Sequence, residues 1–263
     1  MLKSLPVSLI AGALLVASLP ALAEPPAPPA AAATPAKSII LVHGAFADGS
    51  SWSKVIPVLQ AKGFNVVAVQ NPLSSLADDV AATKRAIEAA PGPVILVGHS
   101  WAGVVITEAG NNDKVAGLVY VAAFAPDAGE SVNDLGKGKP APAWLATLKV
   151  DSGGFAWLPA ETVAKDFAQD VPAAEAKLIA ATQGPVATKA LDDKVKTAAW
   201  KTKPSWYIVA DQDHMIDPQA EAAMAKRAGA TTTTLKGSHV IMVSKPKEVA
   251  AVILTAAAGK PKK

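Results

Sequence analysis

Ser100 stands in Gly98-His99-Ser100-Trp101-Ala102-Gly103, between the apolar run Val94-Ile95-Leu96-Val97 and the helix-compatible run Val104-Val105-Ile106-Thr107-Glu108-Ala109. A serine at a sharp strand-to-helix turn is lifted above the sheet with backbone N–H groups beside its oxygen, the arrangement of a nucleophile elbow. The usual pattern is G-x-S-x-G; here Ala102 holds the last glycine's place and Gly103 follows. Serine is a weak nucleophile at its free pKa. It needs an imidazole to take its proton, and that imidazole needs a carboxylate to fix its tautomer. His239, in Gly237-Ser238-His239, is the candidate base. Asp213 and Asp211, flanking Gln212 after Trp206-Tyr207-Ile208-Val209, are the candidate acids. The competing reading of Ser100 is an ordinary helix N-cap.

The elements that would position these residues are legible in the hydrophobic pattern. Short apolar, β-branched runs predict strands at about Ser38 to Val42, Val66 to Val69, Val94 to Val97, Gly117 to Val121, Trp206 to Ala210 and Thr231 to Leu235. Longer amphipathic runs predict helices near Ser53 to Lys62, Leu76 to Ala89, Ala102 to Gly110, Pro218 to Arg227 and Pro246 to Ala257. Strands apolar on both faces and separated by helices imply a parallel sheet covered on both sides. Ligands then bind outside the carboxyl ends of the strands. His43 and Gly44, Ser100, Asp213 and His239 all fall at such ends.

Ser, then Asp, then His is the chain order of α/β-hydrolase triads. With Ile40-Leu41-Val42-His43-Gly44-Ala45 upstream and Lys247-Glu248-Val249-Ala250 downstream, the chain resembles an α/β-hydrolase of the branch holding plant methylesterases, hydroxynitrile lyases and their bacterial esterase relatives. The likeness spans residues 38 to 258 and is weak between about 130 and 202. It implies an α/β-hydrolase fold: a mostly parallel sheet of about six strands, helices on both faces and a small cap at about 127–203. It also implies Asp213 rather than Asp211 as the acid, and the backbone N–H groups of Ala45 and Trp101 as the oxyanion hole. The expected function is hydrolysis of a small carboxylic ester through an acyl-enzyme.

Three rivals are kept in view. Carbon–carbon bond hydrolysis or haloperoxidase-like perhydrolysis would use the same triad, and a catalytically silent binding protein would keep the fold alone. The plant lyases place a threonine after the first histidine and a lysine after the catalytic one; here those places hold Gly44 and Val240, so the cation that would stabilise cyanide is missing. His43 is expected to brace the oxyanion loop, His99 to pack beside the elbow and His214 to cap a loop. Trp144, Trp157 and Trp200 are expected to pack beneath a helical lid, and Met215 and Met242 to lie in the core or line the pocket.

Lys3, the apolar run Val7 to Leu19 and Ala21-Leu22-Ala23 have the layout of a secretory signal peptide over residues 1–23. The apolar run is shorter than the roughly 20 residues of a spanning helix. No stable membrane anchor is therefore expected after cleavage, and the protein is expected to be periplasmic or secreted. Residues 24–36, rich in proline and alanine, read as a tether ahead of a hydrolase domain at 37–258, and 259–263 as a basic tail. A net charge of +3 over 263 residues is no nucleic-acid footprint. The chain has no cysteine, so no disulfide framework or thiolate metal site is available. With no phosphate loop, no dinucleotide fingerprint and no metal-ligand spacing, no cofactor is implied. The expected partner is a small ester substrate, and the sequence leaves the oligomeric state open.

Overall fold

The computed structural model describes residues 36–259. The signal peptide expected at 1–23, all but the last residue of the expected tether, and the tail beyond Gly259 lie outside the described residues. In chain order the elements are β1 (Ser38–Val42), α1 (Ile56–Gln60), β2 (Asn65–Val69), α2 (Leu76–Ala89), β3 (Val94–His99), α3 (Ala102–Ala109) and β4 (Val115–Val121). Next come α4 (Val132–Gly136), β5 (Lys149–Val150), β6 (Phe155–Trp157), α5 (Ala160–Thr162), α6 (Ala173–Thr182) and β7 (Val186–Ala187). The chain closes with β8 (Ser205–Ala210), α7 (Pro218–Arg227), β9 (Thr231–Leu235), α8 (Ile241–Ser244) and α9 (Pro246–Ala257).

Six strands pair in the order β2-β1-β3-β4-β8-β9, every pair parallel. β1, β3 and β8 are buried along their whole length, whereas β9, Thr-Thr-Thr-Thr-Leu, alternates half-buried and exposed residues. That contrast follows from position. Central strands of a parallel sheet have helices on both faces, and an edge strand keeps a solvated side. α2 packs on α3, on β1 and on β2, while α9 lies against β3, β4 and β8. The strand order reverses between β1 and β3, the switch point at which open α/β sheets bind ligands.

The helix expected at Ser53 to Lys62 is shorter than its pattern suggests. A 3-10 turn at Gly49–Trp52, capped by the Asp48 carboxylate, precedes a helix that begins only at Ile56. Pro57 stands in its first turn, where a residue without an N–H is tolerated and further back is not. Between β4 and β8 the chain leaves the sheet to build a cap. Its lid is not purely helical: β5, β6 and β7 form an antiparallel sheet in that order. Strands of two or three residues are too short to carry a readable period.

Candidate active site

Ser100 follows β3 directly and has φ +54°, a left-handed conformation rare for a residue with a side chain. Hydrogen bonds hold it there. Its N–H donates to the Val121 carbonyl at 3.2 Å, and its own carbonyl accepts from Gly103 N–H at 2.9 Å and Phe124 N–H at 3.2 Å. The turn thus starts α3 at Ala102 and points the serine hydroxyl into a cavity. A Cβ on Gly103 would fall 2.0 Å from the Phe124 carbonyl oxygen. Gly103 is therefore the residue that has to lack a side chain, and alanine at 102 leaves the elbow intact. Gly44 makes a second close approach: a Cβ there would lie 2.7 Å from that of Ser100.

His239, between β9 and α8, is buried, and its Nδ1 lies 2.5 Å from Asp213 Oδ2. Asp213 Oδ1 accepts from the N–H groups of Met215 at 2.6 Å and Ile216 at 3.0 Å. Burial opposes ionisation of Asp213, yet the adjoining His239 and the hydrogen bonds it receives hold its carboxyl below the usual carboxylate range. Asp211 is exposed and accepts from Gly237 N–H at 3.3 Å, bracing the loop that leads to His239. The geometry thus brings Asp213, not Asp211, to the imidazole. Ser100 Oγ and His239 share the wall of the cavity without a hydrogen bond between them, and such contacts are often loose before substrate binds.

Ala45 and Trp101 line the same cavity. Among the described residues neither backbone N–H donates to a loop or turn carbonyl, so both stay available to a ligand. His43 braces this loop, as expected. Its Nε2 accepts from Asn71 N–H at 2.9 Å, so Nδ1 carries the proton and donates to the Gly44 carbonyl at 2.9 Å. Asn71 Nδ2 donates in turn to the His43 carbonyl at 2.9 Å. Burial keeps the His43 ring neutral by lowering its pKa. His99 lies behind the base, with its Nε2–H donating to the His239 carbonyl at 2.9 Å and its ring 4.7 Å from that of His239. Burial, then the neighbouring His239, pushes it well below the usual histidine range.

The cavity is about 860 Å³, within the range of small-molecule sites. Its walls are mainly apolar, with Phe46, Trp101 and Phe124 from the sheet edge facing Val132, Trp144 and Leu148 from the cap. Trp144 meets Phe46 edge-on at 6.2 Å, and its indole N–H donates to the Met215 carbonyl at 3.1 Å, so it is wall as well as packing. Trp200 anchors through a 2.8 Å bond to the Pro126 carbonyl, whereas Trp157 is partly exposed and does not pack beneath the lid. Met215 lines the cavity and Met242 is core. His214 does not cap its loop; its ring, half exposed, approaches Asp166 of the cap at 3.5 Å.

Two buried acids escaped the sequence reading. Asp79 on α2 accepts from the Trp101 indole N–H at 2.7 Å and from Leu73 N–H at 2.8 Å, and burial raises its pKa to about 6. Glu221 on α7 lies beside Asp213. The only signal either gave was a carboxylate on a helix face otherwise turned inward, as Glu221 is with Met224 and Ala225.

A parallel doubly wound sheet, an elbow serine and a buried histidine–aspartate pair define the α/β-hydrolase class. The chain matches the alpha/beta hydrolase family over residues 39–252 and belongs to it. It is 28% identical over 204 residues to a probable hydrolase of Phoma sp., covering 70% of this chain and 80% of that protein. Methylesterase 1 of Arabidopsis thaliana is 29% identical over 128 residues, covering 41% of this chain and 49% of the relative. Among solved structures, polyneuridine aldehyde esterase superposes with a TM-score of 0.72 at 21% identity, covering 83% of this chain and 98% of that one.

Proposed function

We propose that this hydrolase cleaves a carboxylic ester through an acyl-enzyme on Ser100, and that it works in the periplasm or outside the cell. The observation that carries the reading is the strained Ser100, which shares one cavity with a histidine held 2.5 Å from a buried aspartate. In this reading His239 Nε2 takes the Ser100 proton as Oγ attacks the ester carbonyl, and Asp213 stabilises the resulting imidazolium. The oxyanion faces the Ala45 and Trp101 N–H groups, each such donor contributing about 2.7–4 kcal/mol to the transition state. Collapse expels the alcohol, which takes its proton from His239. Water activated by the same base then releases the acid.

The apolar walls favour an ester whose acyl or alcohol half is hydrophobic. The names of the relatives, methylesterase and esterase, support ester substrates. Val240, buried next to the base, supports hydrolysis over cyanohydrin cleavage, because a departing cyanide would meet no cation there. The test is a panel of p-nitrophenyl and methyl esters of rising chain length, with mandelonitrile alongside, on wild type and Ser100→Ala. Ester hydrolysis that Ser100→Ala abolishes, together with fluorophosphonate labelling of Ser100, is the expected result. Cyanide release without ester hydrolysis would overturn it. N-terminal sequencing of the protein from the periplasmic fraction checks the compartment, with residue 24 expected first.

A further inference from the structure

Glu221 sits on the buried face of α7, fully shielded from solvent; its Oε2 accepts from Ala210 N–H, the Ala210 carbonyl accepts from Asp213 N–H at 3.2 Å, and the two residues thus meet at one stretch of backbone. Two carboxyl groups that meet away from water cannot both ionise, so one of them keeps a proton. The hydrogen bonds decide which. Asp213 already accepts three N–H donors, from Met215, Ile216 and His239, a set that suits a carboxylate. Glu221 accepts one, from Ala210 N–H at 3.1 Å on Oε2, and its Oε1 is buried without any donor. An acceptor with no donor is costly, and a hydroxyl in that place removes the cost by donating.

We propose that Glu221 is a positioning residue for the triad: a neutral carboxylic acid whose O–H donates to Asp213 and fixes the carboxylate that orients His239. The proposal rests on Asp213 and His239 being the acid and base of the proposed reaction. The other groups that face Glu221 leave the assignment unchanged. Tyr207 of β8 already donates its hydroxyl to the Ala123 carbonyl, and Asp217 at the start of α7 adds negative charge. None of the ion pairs among the described residues includes Glu221. The positive end of α7 favours an anion at this helix start, but burial, reinforced by the charge of Asp213, pushes the Glu221 carboxyl up to about 11. A neutral Glu221 also matters for the reaction. Asp213 and Glu221 together then carry one negative charge, which imidazolium formation cancels, instead of two.

The experiment compares wild type with Glu221→Gln, which keeps a donor of similar shape, and Glu221→Met, which keeps neither donor nor acceptor. Infrared spectra at about pH 8, above the titration of Asp79, should contain the carbonyl stretch of a protonated carboxyl group in wild type and lose it in Glu221→Gln. Absence of that band in wild type overturns the neutral acid. On p-nitrophenyl acetate, kcat should fall about tenfold further in Glu221→Met than in Glu221→Gln, the effect of one hydrogen bond to a charged group, with KM little moved. The acid limb of kcat/KM should also move to higher pH in Glu221→Met, because an Asp213 short of one donor holds the imidazolium more tightly. Equal kcat in the two variants with an unmoved acid limb would mean that Glu221 only fills space, and would overturn the positioning role. Should Glu221→Met fail to fold, a hundredfold loss of kcat in Glu221→Gln, which keeps both the shape and a donor, would overturn the donor role. An inactive wild type that still shows the band would leave the hydrogen bond standing and refute ester hydrolysis instead.

Discussion

Gly103→Ala sets two known effects against each other at the elbow. Gly103 is the second residue of α3, and alanine in a helix is better than glycine by about 1 kcal/mol. Its new methyl, however, would sit 2.0 Å from the Phe124 carbonyl oxygen and 2.9 Å from the Ala123 Cβ. Both neighbours are on the main chain or next to it, so no flexible side-chain end can swing aside. The Phe124 segment cannot retreat freely either, because its N–H is bonded to the Ser100 carbonyl. Overpacking of this kind costs about 1–3 kcal/mol, and contact with a backbone atom puts it near the top of that range. The net destabilisation is then about 2 kcal/mol, which lowers Tm by about 4–8 °C for a domain of this size. Relief can come only by moving α3 or the turn, which shifts Ser100 and the Trp101 N–H; a displacement near 1 Å costs about a hundredfold in rate. Thermal melting and kcat/KM on p-nitrophenyl acetate read the two effects. Ala102→Gly serves as the control: it loses the helix preference, about 1 kcal/mol, and a buried methyl, about 0.8 kcal/mol, but makes no new close contact and should keep the rate. A Gly103→Ala protein that melts at or above the wild-type temperature would refute the close-approach argument.

Asp213→Asn should lower kcat about ten-thousand-fold by leaving His239 in the wrong tautomer. Asp211→Asn, which touches only the Gly237 N–H, should lose far less, and the reverse order in steady-state kinetics would transfer the role. Asp79 has a folded pKa of about 6, above the roughly 3.9 of an unfolded aspartate, so the folded state binds its proton more tightly. Its contribution to stability is present in full below about pH 4 and is lost as pH rises through about 6. Urea unfolding should show the wild-type advantage over Asp79→Asn shrinking by about 3 kcal/mol across that window, and a pH-independent difference would refute it. Activity should survive EDTA, since the proposed steps run through Ser100, His239, Asp213 and backbone N–H groups alone; loss rescued by added zinc or manganese would contradict the mechanism.

Most of the framework is legible without coordinates. β1, β9, α2, α7 and α9 lie where periodicity and end signals put them, because strand and helix periods are local properties of consecutive side chains. Ser100 and His239 stand out for the same reason: their residue types and the apolar runs before them are written in contiguous segments. The cap is another matter. Between about 127 and 203 the chain uses short strands and turns whose shape depends on what lies beneath them, and Trp144 became a cavity wall only because Phe46 and Met215 approach it there.

By itself, then, the sequence determined the parallel α/β architecture, the chain order of serine, acid and base, and the family, since each follows from local pattern and residue type. The resemblance favours Asp213 over Asp211, but only the tertiary structure shows that Asp213 meets His239 while Asp211 faces water, that Gly103 rather than residue 102 must be bare, and that Glu221 is buried on α7. Each of these depends on the distance between groups carried by different elements. Burial and close approach between such groups arise only when the sheet, its helices and the cap are assembled, and one residue's step along a strand or helix decides whether a carboxylate faces an imidazole or water.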